Sequence, residues 1–205
     1  MMAMQQHEAA VVVLLCFYTY FRPGEPFKLL GRHVIPPVPT AGLGHQFWAL
    51  TLHPFELAQA SKTQEFDESV LLDKADSTYL GPLLYGWGLR RGLDQPLFGL
   101  SQYEFSDVFR RACDSLNLRC LGCPTPHQLR HAGASWDFAA NTRTLCEIQR
   151  RGRWRATASV RRYEKGGRVT EQLNRLPPPL RAHAIACAGV ITDVVCCRRL
   201  PLAGP

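Results

Sequence analysis

The residues best equipped for chemistry lie between Pro124 and Lys165, PTPHQLRHAGASWDFAANTRTLCEIQRRGRWRATASVRRYEK, where His, Arg, Trp and Tyr recur at short spacings. His127, Arg130, His131 and Ala134 are three and four residues apart, so a helix sets them on one face. An imidazole beside a guanidinium can hold a phosphate through one adjustable donor and one fork-shaped donor. Taken alone, an HxxR pair is more often a polar stripe on a surface helix. The neighbourhood gives it weight: Arg143, Arg150, Arg151, Arg153, Arg155, Arg161, Arg162, Lys165 and Arg168 crowd one segment against only Glu147 and Glu164. Such a run is a candidate footprint on a nucleic-acid backbone, with the seven arginines from Arg143 to Arg162 as the contacts.

Several elements must position these side chains. Thr125-Pro126 reads as a helix start, a capping hydroxyl followed by proline at the first helical position. A second helix is expected from about Thr142 to Arg151, stopped at Gly152, and a short one from Ala158 with Val160 and Tyr163 on one side. Upstream, residues 8–19 read as a buried helix ending at Tyr20-Phe21-Arg22-Pro23-Gly24-Glu25. A new helix beginning with Pro23 in its first turn would put Arg22 at a helix junction, a setting that favours anions. Phe47 to Leu52, Phe55 to Ser61 and Ser69 to Leu72 read as strands, with Lys62 near the turn between the last two. Thr78 to Leu89 is helical despite three glycines and Pro82, and Ser101-Gln102-Tyr103-Glu104 is a capping box. That box opens an amphipathic helix carrying Phe105, Val108, Phe109, Ala112 and Leu116. The expected fold is mainly α, with a small three-stranded antiparallel sheet at one edge. One domain is expected over residues 1–180, and the apolar, Cys-rich tail over 181–205 has no clear period.

Composition narrows the class. The chain has 205 residues, enough for one ordinary core, and 46% hydrophobic with 20% charged residues excludes a disordered polymer. A net charge of +7 favours an anionic partner. Eight cysteines without regular spacing point to a reducing, intracellular compartment. Cys120-Leu-Gly-Cys123 has metal-ligand spacing, but no second CxxC or placed His pair accompanies it, so no metal is expected. The apolar run Ala9 to Phe21 is shorter than the roughly 20 residues a bilayer span needs, and no basic segment precedes it. No membrane association is expected.

Together these residues resemble the catalytic domain of the tyrosine recombinases, the phage-integrase type of DNA strand-exchange enzyme. His127-Gln-Leu-Arg130-His131 resembles the family's HxLRH box, and Gly152-Arg-Trp154 its Gly-His or Gly-Trp motif, with Tyr163 nine residues beyond Trp154. Thr19-Tyr-Phe-Arg22-Pro-Gly-Glu25 is similar to the first-arginine box, and Ser61-Lys62-Thr63 to the hairpin segment that carries the family's lysine. The match runs in order over roughly residues 10 to 175. Tyr20 stands where the family often has Gly, and Pro26 where Leu is usual.

The resemblance implies Arg22, Lys62, His127, Arg130, Trp154 and Tyr163 as catalytic residues, supported by Glu25 and His131. Tyr163 would attack a phosphodiester of double-stranded DNA and form a 3′-phosphotyrosyl link, while Arg22 and Arg130 would stabilise the extra charge. Lys62 would protonate the departing 5′-hydroxyl, and His127 would assist proton transfer and phosphate binding. Trp154 would support the site by packing and through its indole N–H. Neither a metal nor a nucleotide cofactor is implied. A homotetramer on two duplexes is implied, as is a nuclear location in a eukaryote or a cytoplasmic, nucleoid one otherwise. The family's separate helical DNA-clamping domain has no counterpart ahead of the first matching helix. Two other readings stay open: a non-catalytic DNA-binding remnant, and a type IB topoisomerase, which the short interval from HxLRH to Tyr163 disfavours.

Overall fold

The computed structural model describes residues 1–42, 45–52, 68–164 and 167–204. Lys62, Lys165 and the expected strand from Phe55 to Ser61 lie outside them. The chain divides into two compact units, one formed by Met1–Pro23 with Leu100–Pro205 and the other by Gly24–Gly99. Among the described residues the molecule is mainly helical with a three-stranded antiparallel sheet.

The first unit is built on α1, His7–Tyr18, whose Ala9, Val11, Val12, Leu14, Leu15, Cys16 and Tyr18 are all buried. Beyond His7 and Glu8 the helix is apolar all round, and only Ala10, Val13 and Phe17 of that part are less than fully buried. Across it runs α4, Pro126–Ala139, at close range: a Cβ on Gly133 would collide with the Phe17 carbonyl. The expected capping box opens α3, Gln102–Ser115, where the Glu104 amide donates to Ser101 Oγ at 3.2 Å and the Ser101 amide to Glu104 Oε2 at 2.7 Å. Phe105, Val108, Phe109 and Ala112 form its buried face, as their spacing predicts.

The tail is ordered into helices. Pro178–Ala188 and Ile191–Val195 are helical, and the second returns to α1, where a ring N–H of His7 donates to the Val195 carbonyl at 2.7 Å. Its apolar character, Val194 and Val195 buried, is the side of a helix that docks. No helix among the described residues is long and apolar enough to cross a membrane.

In the second unit the strand order is β1 (Val34–Ile35), β2 (Trp48–Leu52), β3 (Glu68–Leu72), with Val34 opposite Leu50 and Leu50 opposite Val70. Alternation sends Leu50, Leu52, Val70 and Leu72 to the buried face. Strands β2 and β3 match the expected ranges within a residue. The third strand is Val34–Ile35, a two-residue piece too short to register as a pattern. Helix α2, Leu80–Arg91, accommodates its glycines because neighbours need the space: Gly81 lies under the Trp48 ring and Gly88 against Gly31.

The helix expected from Pro23 does not form. Residues 23–25 are turns and bends, and a single 3₁₀ turn, Pro26–Lys28, follows. Leu29 is already extended (φ −72°, ψ 131°), and pairing with residues 93–97 takes over: the Leu97 amide donates to Leu29 O at 2.8 Å and the Gly31 amide to Gln95 O at 3.1 Å. Those bonds give the backbone the partners that a helix would have supplied.

Candidate active site

Helix α4 begins as its sequence predicts, with Pro126 in the first turn and the Thr125 amide donating to Gln128 Oε1 at 2.7 Å. His127 is exposed there, Arg130 is buried at 2% exposure, and Ala134 is fully buried one turn further on. The face of three- and four-residue spacing therefore runs from solvent into the core. It meets Tyr20, Ile148, Val160 and Tyr163, with Phe138, Leu145 and Trp154 packed around them.

Helix α5, Leu145–Gly152, is capped by Thr144, whose Oγ1 accepts from the Glu147 amide at 3.3 Å. The expected start at Thr142 comes two residues later, because Thr142 donates from its amide to Asp137 O at 3.0 Å and closes the preceding loop. Gly152 is the last helical residue, and the left-handed stop falls on Arg153 (φ 54°) instead. Glycine is required at 152 for another reason: a Cβ there would strike the Trp154 ring. Gln149 Nε2 donates to the carbonyls of Trp154 at 3.0 Å and Arg155 at 3.2 Å, pinning this corner. In place of the short α-helix expected from Ala158 there are two 3₁₀ turns, Thr157–Ser159 and Arg161–Glu164. Their three-residue repeat still puts Val160 and Tyr163 on one side, both buried.

These elements bring five of the sequence-predicted residues together. Arg130 donates to the carbonyls of Tyr20 (2.7 Å) and Gly152, and its guanidinium lies 4.2 Å from the Trp154 ring centroid. Trp154 stacks on His131 at 6.2 Å between centroids and leans on Tyr163 at 5.5 Å. His131 Nδ1 is 2.6 Å from the Tyr163 hydroxyl oxygen, and the His127 ring is 4.9 Å from that of His131. Burial pushes the Tyr163 phenol up to about 12, while the charges of Arg162 and Arg130 pull it down.

The first-arginine segment is tied to the same cluster through its backbone. Tyr20 sits at φ 55°, in the left-handed region that glycine reaches most cheaply, and is fully buried. Its hydroxyl donates to Asp137 Oδ2, which also pairs with Arg143 Nε at 3.3 Å. Burial first and the Asp137 carboxylate second raise the Tyr20 phenol well above its ordinary range. The side chain thus fixes a strained backbone where the resembled pattern carries Gly. Arg22 follows two residues later and is half-buried.

Glu25 lies in the second unit, 4% exposed, lining a small recess with Lys28 and His33. The seven arginines of the proposed footprint divide in two. Arg150, Arg155, Arg161 and Arg162 are exposed. Arg143, Arg151 and Arg153 are half-buried and turned inward: Arg143 to Asp137, Arg151 to the Tyr18 carbonyl at 2.9 Å, and Arg153 over the Phe21 ring at 5.5 Å. Sequence reasoning passed over Tyr20–Asp137 as a pair. The signal was present in Asp137, seven residues beyond Arg130 and on the same helical face between Trp136 and Phe138.

All eight cysteines are free, and among the described residues no group of three or more His, Cys, Asp or Glu is placed to hold a metal ion. No protein-family model, curated protein or solved structure matches this chain.

Proposed function

We propose that the chain breaks and rejoins DNA as a tyrosine recombinase does, through a 3′-phosphotyrosyl intermediate on Tyr163. The observation that carries this reading is the convergence of Arg130, His131, Trp154 and Tyr163, with Arg130 bonded to the backbone two residues before Arg22. A phosphodiester under attack by a phenol gains charge on its non-bridging oxygens. Guanidiniums answer that charge without gaining or losing protons. Arg130 is held in one orientation by its two carbonyl acceptors and the Trp154 face. Arg22 would supply the second cation, Lys62 the proton for the leaving 5′-oxygen, and the exposed arginines the grip on the duplex.

A second reading, a DNA-binding remnant, has its own support: Tyr163 is 4% exposed, and burial pushes its phenol above the ordinary range, away from the phenolate a nucleophile needs. Catalysis therefore requires the Arg161–Glu164 turn to present the hydroxyl to a bound phosphate. One experiment separates the two. The full chain is incubated with a randomised pool of nicked suicide duplexes, in which cleavage releases a short fragment and traps the enzyme on DNA. A covalent protein–DNA adduct that disappears in Tyr163→Phe is expected, and Arg130→Lys should reduce it about 10²-fold or more, the scale of losing one oriented charge donor. Salt-sensitive binding with no adduct on any duplex would establish the remnant instead.

A further inference from the structure

We propose that His131, rather than His127, takes the proton from Tyr163 as it attacks phosphorus and hands it back when the strand is rejoined. The inference rests on the catalytic reading above and assigns one step of it. His131 Nδ1 stands 2.6 Å from the Tyr163 oxygen, within the reach a proton acceptor needs, and the two rings are tilted 38° to each other at 6.1 Å. Three neighbours hold the imidazole in place. Trp154 stacks on one face at an interplanar angle of 23°, the His127 ring meets it edge-on at 72°, and α4 anchors its backbone beside buried Arg130. His127 itself is exposed at the start of that helix.

The step balances without any further reactant. In the Nε2-protonated tautomer the Tyr163 O–H donates to Nδ1. On attack the Oη–P bond forms, the P–O5′ bond breaks, and the phenolic proton moves to Nδ1, leaving an imidazolium. The departing 5′-oxygen takes its proton from a separate acid. On rejoining, the 5′-hydroxyl returns its proton to the conjugate base of that acid as it attacks phosphorus, the Oη–P bond breaks, and the imidazolium returns its proton to the phenolic oxygen. The charged and titratable groups around the pair are His127 on the same helix, Arg130 across the Trp154 ring, and Arg162 on the Tyr163 turn; the two arginines favour the phenolate. A proton acceptor is needed because burial opposes ionisation of Tyr163 before attack.

The test uses single-turnover adduct formation on the suicide duplex pool, for wild type, Tyr163→Phe, His131→Gln, His131→Ala and Lys62→Ala. Glutamine can hydrogen-bond the phenol but cannot accept its proton. His131→Gln should therefore form adduct about 10²- to 10⁴-fold more slowly, the range for general base catalysis, and lose the rising limb of the pH–rate profile. Unchanged DNA affinity and melting temperature would separate this from misfolding. Added imidazoles should rescue His131→Ala, faster for more basic ones. On duplexes whose 5′-bridging oxygen is replaced by sulfur, which leaves without a proton, Lys62→Ala should recover and His131→Gln should not. His131→Gln within about threefold of wild type, or rescued by the sulfur leaving group, would overturn the assignment and leave the catalytic reading intact. A wild type that forms no adduct would overturn both.

Discussion

At the scale of single residues, the site depends on a tyrosine placed where glycine is the easier choice. A left-handed backbone costs about 1 kcal/mol for most non-glycine residues, so Tyr20 at φ 55° needs a compensating interaction. It has one in the buried bond to Asp137, itself held by Arg143. Tyr20→Phe keeps the ring and removes only the hydroxyl, leaving a buried carboxylate one donor short. Unfolding in urea should show a loss of about 1–3 kcal/mol, and the variant should lose adduct formation more than DNA binding, because Tyr20 O is also the acceptor for Arg130. Equal stability in the two proteins would show that the hydroxyl contributes nothing. The φ value was not legible from the one-letter code, since it follows from how α4 crosses the end of α1, and the partner left only the trace of an Asp on the Arg130 face of α4. The types and order of Arg130, His131, Trp154 and Tyr163 were legible, because the spacing of a helix and a turn translates directly into a shared face. The weight given to His131 was not: at four residues from His127 it shares that face, and only the packed geometry says which imidazole reaches the tyrosine.

At the scale of elements, the position of the site is set by the crossing of α1 and α4. Gly133 allows that crossing, since any side chain there would enter the Phe17 carbonyl. Gly133→Ala should push the helices apart and cost about 2–3 kcal/mol, as overpacking of a tight core does. The same displacement would draw the Tyr20 carbonyl away from Arg130, so thermal melting and adduct yield should fall together. A variant that melts like wild type would mean the crossing is looser than this contact implies. Elements with strong local signals were legible: the Ser101 box, the buried helix expected at 8–19 and found at His7–Tyr18, and strands β2 and β3. Those decided by long-range pairing were not. The chain after Pro23 follows residues 93–97 rather than its own helical tendency, and the two-residue strand Val34–Ile35 exists through its pairing with β2. The tail helices belong to the same group, since Ile191–Val195 is anchored by its apolar side and by His7, 188 residues from Val195 in sequence.

At the scale of the whole molecule, the charge of +7 is a weak statement until it is known which cations face solvent. The structure sorts them, and the sorting yields a prediction that net charge cannot. Arg150, Arg155, Arg161 and Arg162 are exposed on and around the segment carrying Tyr163, whereas Arg143, Arg151 and Arg153 hold protein groups. Each phosphate contact on duplex DNA contributes about −0.9 to the slope of log affinity against log salt, through release of a condensed counterion. Replacing the four exposed arginines with Gln should therefore make that slope shallower by up to about 3.6. Such changes should leave melting nearly unchanged, because isolated surface charges contribute little to stability. Replacing Arg143 or Arg151 should do the reverse: melting falls because a buried carboxylate loses its ion-pair partner or a backbone carbonyl its donor, while the slope changes by less than one contact. Fluorescence anisotropy on a short duplex between about 50 and 200 mM salt, paired with thermal melting, reads both quantities in the same variants. If the two groups of arginines gave the same slope change, the division into a DNA-facing rim and an internal brace would fail, and with it the argument that Tyr163 is delivered to a phosphate by the residues flanking it.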